Sequence, residues 1–217
     1  MLYFIAMTIN TILFDLDGTL VDTAPDLAYA LNQVLIENDK KELSLKYVRN
    51  YVSKGGKALI KLAFDDKYDS DSFIKKHQRL LEIYQKNISN KSKVFKGIDR
   101  LLAKIKQKNM YWGIVTNKPE YLTKPILYNL NLKPDIMVCG DTLRYNKPHP
   151  EPLFYVCKKL NVKPYQCIFL GDDEVDVITG KAAGVKTVIV SYGYGKNINS
   201  WGAAAIIAKP EDIWNLI

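Results

Sequence analysis

Five short apolar runs constrain this chain more than any other feature: Thr11–Phe14, Trp112–Thr116, Ile136–Cys139, Ile168–Leu170 and Thr187–Val190. They are rich in β-branched residues and do not alternate strictly with polar ones, the pattern of strands buried on both faces. Segments long enough for a crossover helix separate the later runs. Repeated strand–helix units of this kind predict an α/β fold with a doubly wound parallel sheet. Ala205–Ala208 predicts a sixth strand, and Pro210 suits the first turn of a closing helix.

The stretch from Val21 to Lys93 breaks the alternation. Leu27, Leu31, Val34 and Leu35 recur at helical spacing, as do Phe73, Leu80, Leu81 and Tyr84. Pro25, the Gly55-Gly56 pair and the acidic cluster of Asp65, Asp66 and Asp69 divide this region into about four helices. The expected organisation is a core of residues 1–20 and 94–217, with a helical insert over 21–93 joined at both ends by flexible segments. No internal repeat is visible.

Composition excludes several classes. With 217 residues and 47% apolar content, the chain can bury a core without covalent staples. Cys139, Cys157 and Cys167 form an odd, scattered set that suits a reducing compartment, and two histidines, His77 and His149, are too few for a Cys/His zinc site. His149 reads as loop structure. The net charge of +8 is spread thinly, with no run of more than two lysines and only four arginines, so it reads as solvated faces rather than a nucleic-acid surface. Met1–Met7 is apolar but lacks a basic region and is far short of the ~20 residues of a spanning helix. It reads as an extension into the first strand, with Met7 as an alternative start. The expectation is a cytoplasmic monomer or homodimer with no membrane or nucleic-acid partner.

Four motifs fall at the carboxyl ends of predicted strands, where open α/β sheets bind ligands. In Phe14-Asp15-Leu16-Asp17-Gly18-Thr19-Leu20-Val21-Asp22, two carboxylates two residues apart can point to one side while Leu16 points away. Gly18 lets the chain turn sharply. One carboxylate can act as a nucleophile and the other as a general acid and base. A calcium EF-hand is excluded because its sixth position, a glycine, is Leu20 here. Thr116-Asn117-Lys118 offers a hydroxyl and backbone N–H groups to a phosphate oxygen, or else a helix cap before Pro119. Lys147, in a loop with Pro148, Pro150 and Pro152, is a point charge able to reach a phosphoryl group. Gly171-Asp172-Asp173-Glu174-Val175-Asp176 clusters carboxylates that form a site only around a cation, and magnesium fits. Its bland alternative is an acid-rich helix N-terminus. The Gly180–Thr187 segment is a broken P-loop, and Gly193-Tyr194-Gly195 lacks a third glycine at the dinucleotide spacing.

Taken together and in this order, the motifs resemble those of the haloacid dehalogenase superfamily, and within it the phosphoglycolate phosphatase group. The resemblance spans nearly the whole chain. It implies a Rossmann-like core, a helical cap inserted after the first motif, and Mg2+ as cofactor. It further implies Asp15 as nucleophile, Asp17 as general acid and base, and Thr116, Asn117 and Lys147 around the phosphoryl group. Asp172 would bind the metal with Asp15 and the Asp17 backbone carbonyl, supported by Asp176 and by Asp173, where relatives carry Ser or Thr.

The substrate implied is a small phosphorylated metabolite. The cap segment Val52-Ser53-Lys54-Gly55 resembles the group's Val-Gly-x-Gly loop, with Ser53 in place of a glycine. In this turn Lys54 and Gly55, with Lys57 nearby, are the candidates for substrate selection. A phosphonoacetaldehyde-cleaving relative uses a cap lysine for a Schiff base, but resembles its own kind in having alanine where this chain has Asp17. Two rivals stay open: a sugar phosphomutase of the same superfamily, and a non-enzymatic phospho-acceptor domain, which needs neither the second aspartate nor the cap.

Overall fold

The computed structural model describes residues 8–217; the reading of Met1–Met7 as an extension lies outside them. Six parallel strands form the central sheet: β1 Thr11–Phe14, β4 Tyr111–Val115, β5 Ile136–Val138, β6 Cys167–Gly171, β7 Lys186–Val190 and β8 Ala205–Ile207. A short antiparallel pair, β2 Val21–Asp22 with β3 Lys93–Val94, completes the strands. The order in the sheet is β5-β4-β1-β6-β7-β8. β1 is therefore central, bonded in register to β4 on one side and β6 on the other. The chain builds outward from β1 in one direction and then crosses back to build in the other. That reversal opens a crevice beyond the carboxyl ends of the middle strands.

Strand geometry explains the apolar runs. Successive side chains point to opposite faces, so each run feeds two cores. Ile12 and Phe14 of β1 face α5 (Ile98–Gln107) and α6 (Glu120–Asn129), alongside Ile114, Ile168 and Leu170. Leu13, between them, faces α7 (Glu151–Leu160), alongside Val115, Val138 and Phe169. The last helix of the core, α8 (Glu174–Ala183), contributes Ala183 to this second cluster. The closing segment at Pro210 is a 3₁₀ helix, Pro210–Asn215, rather than an α-helix.

Between β2 and β3 lie four helices, as the periodicity predicts: α1 Ala24–Ile36, α2 Leu45–Arg49, α3 Gly55–Ala63 and α4 Asp71–Lys86. Leu27, Leu31, Val34 and Leu35 of α1 meet Leu59 and Ile60 of α3 and Phe73, Leu80 and Tyr84 of α4 in a core of their own. Leu122 of α6 and Tyr194 join it from the sheet side. The Gly55-Gly56 pair does punctuate the region: Gly55 takes φ +82 at the start of α3, directly after a 3₁₀ turn, Val52–Lys54. Where the insert begins and ends, the buried Asp26 carboxylate accepts hydrogen bonds from the backbone of Lys91 and Ser92 and from the Ser92 hydroxyl. With β2–β3, this clasp draws the two connecting segments together. No helix among the described residues is long and apolar enough to cross a membrane.

Candidate active site

Loops at the carboxyl ends of β1, β4, β5, β6 and β7 converge on one buried polar centre. Asp15 follows β1, and its backbone N–H donates to Leu170 O at 2.8 Å, extending the β1–β6 register by one residue. Lys147 stands against it: its Nζ is 2.9 Å from Asp15 Oδ1 and 2.6 Å from Asp176 Oδ1. Asn117 fixes the lysine loop by donating its Nδ2–H to the Lys147 carbonyl at 2.8 Å. Thr116 is buried at the end of β4, and its Oγ1 accepts from the Lys118 backbone N–H at 3.2 Å. The second, third and first motifs thus meet as their positions at strand ends require.

Asp172 is fully buried. Its carboxylate accepts from Thr19 Oγ1 at 3.0 Å and from the Tyr194 backbone N–H at 2.8 Å. Ser53 Oγ, from the insert, lies 3.4 Å from Asp172 Oδ2. Asp173 is the N-cap of α8 and accepts from the Val175 N–H, while Asp176 Oδ2 takes the N–H groups of Asp172 and Asp173. The acid-rich helix start is therefore both a capping box and part of the site. Gly18, at φ +91, packs so closely that a Cβ there would collide with the Asp172 carboxylate. A Cβ at Gly171 would likewise strike Asp176.

Carboxylate oxygens of Asp15, Asp172 and Asp176 lie within 4.8 Å of one another. Burial raises the Asp15 pKa to about 6, against the attraction of Lys147 and with help from the charges of Asp176 and Asp17. Burial, then Asp15 and Asp176, push Asp172 well above the usual carboxylate range. For Lys147, burial opposes the charge, but Asp15 and Asp176 outweigh it and hold the ammonium above its ordinary pKa. One ammonium against three buried carboxylates leaves an excess of negative charge that a bound cation could offset. An all-oxygen set of this kind suits a hard divalent ion such as Mg2+. The residues present fit that cofactor, with Asp176 the most committed of the three to Lys147 and backbone N–H groups.

Asp17 sits on the outer side of this centre. Its Oδ1 accepts from Thr23 Oγ1, and Lys118 Nζ lies 3.0 and 3.3 Å from its two oxygens. Leu16, between the two aspartates, is buried in the sheet core. Lys118 stands within the second motif, yet sequence reasoning gives it no role; the visible signal is a lysine at a strand end, close to a threonine. Tyr194 is missed too. Its hydroxyl accepts from the N–H groups of Thr23 and Ala24 at 2.8 and 3.0 Å and donates to Asp22 Oδ1 at 2.8 Å. Arg49 of α2 closes a two-pronged ion pair on Asp22. In the selective turn, Lys54 is exposed, its Nζ 5.9 Å from the Tyr51 ring centroid, and Gly55 is exposed as well. Lys57 pairs with Asp69 at 3.0 Å, so Ser53 is the residue of this segment that reaches the core.

Residues 12–190 match the family model described as haloacid dehalogenase-like hydrolase. The chain belongs to that family. As a haloacid dehalogenase-like hydrolase it is 37% identical over 216 residues to the N-acetylmuramic acid 6-phosphate phosphatase of Pseudomonas putida, covering 97% of both chains. It is 35% identical over 212 residues to a phosphoglycolate phosphatase of Xanthomonas campestris pv. campestris, covering 94% of this chain and 95% of the relative. Among solved structures, that of a predicted phosphoglycolate phosphatase from Haemophilus somnus 129pt superposes with a TM-score of 0.87 at 29% identity, over 98% and 99% of the two chains.

Proposed function

We propose that this hydrolase is a magnesium-dependent phosphomonoesterase that releases phosphate from a small phosphoglycolate-type metabolite through an aspartyl phosphate. The convergence of Asp15, Asp172 and Asp176 around Lys147, with Asp17 on the same loop as Asp15, carries the reading. The names of the two curated relatives support it, since both are phosphatases of small metabolites with different leaving groups.

Asp15 attacks phosphorus, its Oδ–P bond forming as the ester P–O bond breaks, and Asp17 gives its proton to the departing alkoxide. Asp17 then takes a proton from the water that attacks the aspartyl phosphate, which returns Asp15 and releases inorganic phosphate. Thr116 and Lys147 hold the phosphoryl oxygens, and Asn117 steadies Lys147. Asp15, Asp172 and the Asp17 backbone carbonyl would hold magnesium, which supplies charge stabilisation at the phosphoryl oxygens. Asp173 and Asp176 keep the α8 loop in place. The helical cap, residues 21–93, covers the leaving group and excludes water, with the Ser53–Gly55 turn, including Lys54, choosing among substrates. The three free, buried thiols suit a cytoplasmic setting.

Phosphate release from p-nitrophenyl phosphate and 2-phosphoglycolate, with and without chelator, tests the reading. Activity should need added magnesium and vanish on chelation. Full turnover in excess chelator would refute it, and transfer of phosphate between positions of a hexose bisphosphate without release would indicate a mutase.

A further inference from the structure

Lys118 and Tyr84 meet where the insert closes over Asp17. Lys118 follows β4, and its backbone is held from both sides, its N–H on Thr116 Oγ1 and its carbonyl by the Gly140 N–H at 3.0 Å. Its side chain is only 7% exposed. Among the described residues Asp17 is the one carboxylate that pairs with it. The ammonium also lies 4.7 Å from the ring centroid of Tyr84, a residue of α4. Tyr84 is fully buried, and its hydroxyl has no hydrogen-bond partner of good geometry. Buried hydroxyls almost always have partners, so one that meets the Lys118 ammonium without a well-formed hydrogen bond, beside the Asp17 carboxylate, needs a reason.

The phosphatase reading supplies the frame. Asp17 must lie within ~3 Å of the ester oxygen to protonate it. A group on the carbon next to the ester carbon would then fall within reach of an ammonium that already touches Asp17. An ammonium has three N–H donors, and a phenol adds another. A carboxylate has two oxygens, and one buried cation with one neutral donor matches them. We infer that Lys118 Nζ and the Tyr84 hydroxyl form a subsite for a carboxylate on the leaving group, one carbon removed from the phosphorylated position. Because Lys118 belongs to the core and Tyr84 to the insert, the subsite is complete only when the insert covers the core. This places selection deeper than the exposed Lys54. It also gives the third residue of Thr116-Asn117-Lys118 a task of its own, separate from holding phosphate.

The test compares kcat/KM for 2-phosphoglycolate with that for the neutral analogue 2-hydroxyethyl phosphate, in wild type, Lys118→Met and Tyr84→Phe, each loaded with magnesium. The ratio of the two values is read, because any displacement of Asp17 lowers both and cancels. Wild type should favour 2-phosphoglycolate. In Lys118→Met the ratio should fall about tenfold to hundredfold, the range of a charge-assisted hydrogen bond, and in Tyr84→Phe about twofold to tenfold. Tyr84→Phe removes one hydroxyl that makes no well-formed hydrogen bond, so it should fold about as well as wild type and decides the matter alone if Lys118→Met is insoluble. Equal turnover of the two esters by wild type, or an unchanged ratio in either soluble variant, overturns the subsite. Folded wild type that hydrolyses neither ester refutes the phosphatase reading itself, a separate result.

Discussion

The buried acid cluster costs the metal-free fold stability, and Asp15→Asn should show how much. Burial raises the Asp15 pKa from 3.8 to about 6 despite the Lys147 ion pair. A folded-state pKa above the unfolded one means the folded chain binds the proton more tightly. This contribution is therefore full below pH 3.8 and is lost as pH rises through 6. A rise of that size corresponds to about 3 kcal/mol, of which roughly half is lost between pH 5 and pH 8. Asparagine has nearly the same shape and does not titrate. In chelator, the stability of Asp15→Asn relative to wild type should thus rise, by on the order of 1 kcal/mol, from pH 5 to pH 8. Urea unfolding at both pH values, read by circular dichroism, measures that difference between differences, and any fixed cost of the substitution cancels. Magnesium should stabilise wild type at pH 8 by mass action and the variant far less. A relative stability that stays flat or falls across this range would mean that Lys147 neutralises Asp15 fully and that the cluster is not short of positive charge.

Other perturbations separate the roles of single residues. Asp17→Asn keeps the nucleophile but removes the proton donor, so turnover of an alkyl phosphate should fall ~100- to 10,000-fold, while an aryl phosphate with a good leaving group loses much less; equal, small losses would contradict its role. Gly18→Ala forces a side chain onto φ +91 and into Asp172, so both Tm and magnesium affinity should drop, which thermal unfolding with and without the ion would show. Lys54→Ala tests the exposed turn: a selective loss of kcat/KM on 2-phosphoglycolate, with aryl phosphate unchanged, gives it a part in selection, and parallel changes deny it one.

The sheet is legible in the sequence because its strands are buried on both faces. Thr11–Phe14 is predicted to the residue, and Ala205–Ile207 is found despite its short length, since continuous apolar runs leave little else to form. The core motifs are legible because chemistry fixes residue type and strand ends fix place: Asp15 pairs with Lys147 and clusters with Asp172, and Thr116 is buried at the end of the neighbouring strand. What escapes depends on contacts between distant segments. Nothing local marks Tyr84 as anything but a helix-face aromatic, or Tyr194 as more than a loop residue. Their partners lie 34 residues away at Lys118 and 172 at Asp22. The short β2–β3 pair is hidden for the same reason, since two residues carry no periodicity.

The Tyr194 phenol and the Asp26–Ser92 clasp sit where the two connecting segments pass between sheet and insert. Segments held so firmly can rotate but have little room to slide. A rigid body turning about such a pivot sweeps an arc that lengthens with distance from it. Thr23 and Asp26 lie at this pivot, whereas residues farther along the insert would lie on longer arcs. An insert turning about this pivot would leave Asp17 with its Thr23 partner, so the proposed general acid would keep its alignment while the rest of the insert moved.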